Sequence, residues 1–134
     1  MFRGKRIDGL GCMYGDLYHQ NDRCYIYPKG ARPDLQVRKW SLEVHPDSVG
    51  QSTGKKDARG VVVYEKDIVK FPDHDYLAEV VYCPEFAAFM FESHNKETRN
   101  NPDAIMSWGS ELEVIGNIHD NPELLKENKD VRNI

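Results

Sequence analysis

Glu65 and Asp67 stand in a β-branched stretch, separated by one residue, so on a continuous strand their carboxylates share a face. Paired carboxylates can exchange protons with a substrate or hold a divalent cation. No third acid stands at the right reach, and acids are common at turns because they accept backbone N–H groups. The expected role of Asp67 is therefore turn structure. Asp73, His74 and Asp75 are consecutive. Adjacent residues rarely converge on one ion without ligands from elsewhere, so a solvated loop is expected there. His19, His45, His94 and His119 lack paired metal-ligand spacing and read as surface or packing residues. The sequence assigns no catalytic residue, no cofactor and no metal ligand.

The run Gly50–Lys56 (GQSTGKK) invites comparison with a phosphate loop. It has three residues between its glycines, where that motif has four, and Lys56 replaces the Mg-binding Ser or Thr. No helix is expected after it to supply N–H groups to a phosphate. Nucleotide hydrolysis is set aside. Two basic spots remain: Arg3, Lys5 and Arg6, then Lys55, Lys56 and Arg59. Placed beside Tyr14, Tyr18 or Tyr25, they could hold a single nucleic-acid strand by charge and stacking. Against this, Asp57 lies inside the second spot, and the net charge of −4 gives no overall attraction to phosphate backbones. Solvated charges at a hairpin tip are the plainer reading, with nucleic acid as the alternative partner.

The elements that must position these groups are mostly strands. Leu10–His19 alternates, with Tyr14, Asp16 and Tyr18 on one side. Gln20-Asn21-Asp22 is turn chemistry, since Asn and Asp tolerate left-handed backbone, and Arg23–Tyr27 returns. Trp40–Val44 is a short strand closed by Pro46. Asp57-Ala58-Arg59-Gly60 fits a type I turn with Asp first and Gly last. Val61–Tyr64, Asp67–Phe71, Ala78–Tyr82, Phe86–Glu92 and Glu111–Ile115 read as strands, the Ala78–Tyr82 and Phe86–Glu92 pair as a hairpin. Ala31–Arg38 and Ser93–Asp103 read as loops, and Ala104–Trp108 as a short strand or turn. Asn121 is expected to cap a terminal helix, with Pro122 in its first turn. Seven or eight short strands, one helix and no βαβ alternation indicate a small antiparallel barrel or sandwich.

The run Phe86–Phe91 is apolar on both faces. A strand in a small barrel usually shows one face to water, so the loops, the terminal helix or a second subunit must cover the other; the expected cover is a second subunit, through Phe86, Phe89, Met90 and Phe91. The 134 residues fit one domain. No apolar run approaches the roughly 20 residues that span a bilayer, and MFRGKRID has no apolar core behind its charges, so no membrane partner and no secretory signal are expected. Cys12, Cys24 and Cys83 are odd in number and lack a C-x-x-C spacing, which points to free thiols in a reducing, cytoplasmic setting.

FRGKRID, HPDSVGQSTGKKDARG, YEKDIVKF and LEVIGNIHDNPELL occur in that order and together resemble the YopX family. The resemblance implies an origin in bacteriophages and prophages and an SH3-like β-barrel with additions. It carries no accepted activity and hence no catalytic residues. Lys66 departs from the pattern, standing where a glycine is common; Ser52 and Lys55 stand where an aromatic and a leucine are more usual. The resulting expectation is a mainly β, single-domain accessory protein: an N-terminal hairpin region over residues 1–45, a small antiparallel SH3-like barrel over 46–120, and a short C-terminal helix and tail over 121–134. It would act without catalysis, binding a phage or host protein or itself.

Overall fold

The alternation along Leu10–His19 becomes strand β2 (Cys12–Gln20) in the computed structural model, which describes residues 1–28, 42–72, 77–93 and 111–125. The chain divides into two units, Met1–Ser52 and Thr53–Ile134. The expected segments Ala31–Arg38 and Ala104–Trp108, the Asp73–Asp75 cluster, and all of the Ser93–Asp103 loop but Ser93 lie outside the described residues.

The first unit is an antiparallel array in the order β4 (Leu42–Val44), β3 (Arg23–Pro28), β2, β1 (Phe2–Lys5), with the start of β5 (Gly50–Lys56) beside β1. Asn21 and Asp22 both take positive φ, 50° and 66°. Two left-handed residues make a tight turn whose twist suits a hairpin. That turn fixes the β2–β3 register, with Tyr18 opposite Tyr25 and Asp16 opposite Tyr27. Ile26 and Val44 are fully buried, and with Cys24 they form a core against which Phe2, Met13, Leu17 and Val49 pack. Each such aliphatic side chain contributes about 1.5–3 kcal/mol. A 3₁₀ turn at Pro46–Ser48 is pinned to β1, because the Ser48 hydroxyl accepts the Lys5 N–H at 2.7 Å and donates to the His45 carbonyl at 2.7 Å.

In the second unit the rest of β5 turns into β6 (Val62–Tyr64). A four-stranded antiparallel sheet then runs β10 (Glu113–Asn117), β7 (Asp67–Lys70), β8 (Leu77–Cys83), β9 (Ala88–Ser93). Val63, Val69, Ala78, Val80, Phe91 and Leu112 form its core, and Phe71 meets Phe91 edge-on at 5.0 Å. The expected type I turn is present: the Gly60 N–H donates to the Asp57 carbonyl at 3.0 Å, with Gly60 at φ 82°. A helical turn covers residues 122–125.

Gly50–Lys56, assigned to no strand from the sequence, forms β5, and β6 follows it, where no helix was expected. One expectation needs correction. Among the described residues the sheets are open, with no pairing of β9 to β10 that would close a barrel. Closure demands strand tilt and stagger all around the ring, and strands this short leave the described sheet with two edges. The fold is mainly β and antiparallel.

Candidate binding face

Antiparallel partners directly opposite each other project to the same face of a sheet. The register of β1, β2 and β3 therefore gathers Arg3, Lys5, Tyr14, Asp16, Tyr18, Gln20, Tyr25 and Tyr27 on the side away from the Ile26–Val44 core. Tyr18 is the hub. Its ring lies 5.3 Å from that of Tyr25 and 5.8 Å from that of Tyr27, tilted by 38° and 35°. Its hydroxyl donates to Gln20 Oε1 at 2.6 Å. Tyr14 extends the row and is 47% exposed. Partial burial raises the phenol pKa of Tyr27, and neighbouring Tyr18 adds to the shift.

The charges on this face are of mixed sign. Arg3, opposite Tyr14, is buried at 9% exposure. Arg23 meets Glu43 of β4 at 3.6 Å. Asp16 is exposed, between Tyr14 and Tyr18 along β2 and across from Tyr27. Tyrosines present rigid, amphipathic area at low entropic cost, and are enriched where proteins meet partners.

The residues singled out from the sequence fall elsewhere or serve the backbone. Asp67 is 1% exposed and its Oδ2 accepts the Tyr64 N–H at 2.8 Å, the turn role expected of it. Asp57 is 3% exposed and accepts three backbone N–H groups, from Arg59 (2.9 Å), Val61 (2.8 Å) and Val114 (3.0 Å). Burial would raise its pKa, but those N–H groups and the Arg59 charge outweigh it and hold the carboxyl below its ordinary value. Arg59 itself donates to the Val114 carbonyl at 2.9 Å and lies 3.4 Å from Glu113. Lys55 and Lys56 are exposed at the end of β5. Arg6 pairs with Asp8 and Lys5 is half-buried. The two basic spots belong to different units.

The apolar run divides. Phe86 lies in the turn before β9 and is 68% exposed, Phe89 packs edge-on against Tyr82 at 5.3 Å, and Met90 and Phe91 are buried within the chain itself. The Cys24 thiol lies 3.5 Å from His19 Nδ1, and Cys12, Cys24 and Cys83 are free. Among the described residues no group of three or more His, Cys, Asp or Glu could hold a metal, and no helix is long and apolar enough to cross a membrane.

Sequence reasoning placed Tyr14, Asp16 and Tyr18 on one side of a strand but missed Tyr27. The missing signal was available: a two-residue Asn21-Asp22 turn sets Gln20 against Arg23, and counting back puts Tyr27 beside Asp16.

The family model described as YopX protein matches residues 10–126. No curated protein matches the chain. Among solved structures, the crystal structure of protein EF1440 from Enterococcus faecalis is similar at TM-score 0.51 and 23% identity, covering 92% of this chain and 96% of that one.

Proposed function

The chain belongs to the YopX family, and from that premise we propose that it is a non-enzymatic binding module whose working surface is the tyrosine row of β1–β3. The observation that carries this reading is Tyr18 set against both Tyr25 and Tyr27, with Tyr14 exposed in the same row. Three rings held against one another keep their shape without a ligand, so little ordering entropy is lost when a partner docks. In this reading the module is cytoplasmic, of phage or prophage origin, and its β-sheets, open among the described residues, follow an SH3-like arrangement elaborated by the N-terminal strands. Capture from a prophage-carrying bacterium by immobilised wild-type protein and by a folded Tyr18→Leu variant tests it. The reading expects partners retained by the first and lost by the second. Equal retention removes the tyrosine row from the account.

A second reading keeps the exposed tip of the β8–β9 hairpin, where Phe86 is 68% and Tyr82 45% exposed, as a self-association contact. Light scattering after size exclusion tests it: a strict monomer at high concentration removes it. Nucleic-acid binding through Arg3–Arg6 and Lys55–Arg59 is the remaining alternative; it predicts steep salt dependence and loss in a Lys55→Glu/Lys56→Glu variant.

A further inference from the structure

We propose that the tyrosine row takes an arginine or lysine side chain from an extended segment of a partner protein, seated over Asp16; this rests on the binding-face reading above. Asp16 is exposed and, among the described residues, no cation or side-chain hydrogen bond neutralises it. Glu43, the other carboxylate of the face, already has Arg23 at 3.6 Å. Arg3, the side-chain cation nearest in register, is buried and lies opposite Tyr14, diagonal to Asp16. Asp16 is therefore the carboxylate of the row open to a partner's cation.

Aromatic rings surround it. Tyr14 and Tyr18 flank Asp16 along β2, each at about 7 Å by strand rise, and Tyr27 is directly opposite. A cation above Asp16 falls within the roughly 6 Å over which a ring face attracts it, while the carboxylate supplies the formal countercharge. Phenols and one carboxylate make a poor divalent-metal site, because hard cations require several oxygen ligands. A planar guanidinium or an ammonium on an apolar stem satisfies both features at once. A phosphate backbone would meet Asp16 as a like charge.

The test is fluorescence anisotropy of the full chain with a fluorescein-labelled arginine-proline repeat peptide, its citrulline counterpart, and a fluorescein-labelled oligo-thymidine strand. The arginine peptide should bind saturably and the citrulline peptide at least tenfold more weakly. Asp16→Asn and Tyr18→Leu should each weaken binding about tenfold. Glu85→Gln removes the same charge from the β8–β9 turn and should change nothing, which separates a site from net-charge attraction. The proposal is overturned if the arginine peptide does not bind, if citrulline binds equally, if Glu85→Gln weakens binding as much as Asp16→Asn, or if oligo-thymidine is preferred. If those results come with partner capture that still depends on Tyr18, the cation fails and the binding face stands.

Discussion

Asp57 Oδ2 accepts the backbone N–H of Val114 at 3.0 Å, tying the β5–β6 turn to β10. The same carboxylate serves Arg59 and Val61 within its own turn, so one side chain fixes a local turn and a pairing 57 positions away in sequence. Replacing it with Ala leaves three N–H groups without that acceptor. Each such loss costs about 1–3 kcal/mol when buried, so Asp57→Ala should destabilise the chain by about 3 kcal/mol or more. Asp57→Asn, which keeps one carbonyl oxygen for the turn but turns an amide N–H₂ toward Val114, should lie between. Urea midpoints for the two variants check the order.

The same residue sets an acid limit. Its carboxyl is held below the ordinary value in the folded chain, while the unfolded value is about 3.9. A depressed folded pKa contributes stability that is fully present above the unfolded value and is lost as pH falls through the folded one. Wild-type stability should therefore fall below about pH 4 more steeply than that of Asp57→Asn. Unfolding curves taken at stepped pH give both slopes, and parallel slopes would remove Asp57 as a cause.

Lys66 sits at φ 79°, in the left-handed region, between Tyr64 and the buried Asp67. Its backbone is nevertheless fully used: the N–H donates to the Val80 carbonyl at 2.7 Å and the carbonyl accepts the Ile118 N–H at 2.9 Å. The turn is held by its neighbours against the preference of a residue with a Cβ, which costs about 1–2 kcal/mol. Lys66→Gly relieves that strain but gives the unfolded chain more freedom. The expected net gain is about 0.5–1 kcal/mol, read as a raised melting temperature; a drop would mean the lysine side chain contributes more than the strain takes away.

Much of this architecture was legible because turn chemistry is local. Asn21-Asp22 and Asp57–Gly60 declare their turns by residue type alone, and the strands between them follow from alternation. Lys66 was flagged as standing where glycine is usual, and its positive φ supplies the reason. What was not legible depends on partners distant in sequence. Asp57 looked like part of a charged tip because nothing local announces that Val114 and Leu112 dock there. Gly50–Lys56 is assigned to no strand from the sequence because its residues are poor strand formers; its first residues pair with β1, a partner distant in sequence. The double-sided apolar strand suggested a missing subunit, whereas the chain itself buries Met90 and Phe91.

Gly116 and Asn121 form a second close fit. A Cβ built on Gly116 would lie 2.6 Å from Asn121 Oδ1, the oxygen that accepts the Asn117 N–H at 3.3 Å. Asn121 thus closes the turn before the helical residues back onto β10, rather than capping the helix with its side chain as its sequence suggests. Gly116→Ala should cost about 1–3 kcal/mol by forcing that side chain away. In Asn121→Ala the obstruction is gone, so adding Gly116→Ala to it should cost markedly less. A double-mutant cycle measures the coupling, and strict additivity would show that the two residues do not meet.

The four apolar residues of the β8–β9 region should separate by burial. Phe91 is 4% exposed, in contact with the Val63–Leu112 core and edge-on to Phe71, whereas Phe86 is 68% exposed on the turn. Truncating a buried phenylalanine removes its transfer free energy and leaves a cavity, so Phe91→Ala should cost about 3–5 kcal/mol. Phe86→Ala touches no core contact and should stay within about 0.5 kcal/mol of wild type at low protein concentration. If the hairpin tip is a self-association contact, Phe86→Ala should abolish any concentration dependence of the wild-type melting temperature, since assembly stabilises by mass action. Concentration dependence that survives Phe86→Ala would place the contact away from the tip, and a large loss of stability in dilute Phe86→Ala would show that the ring packs within its own chain.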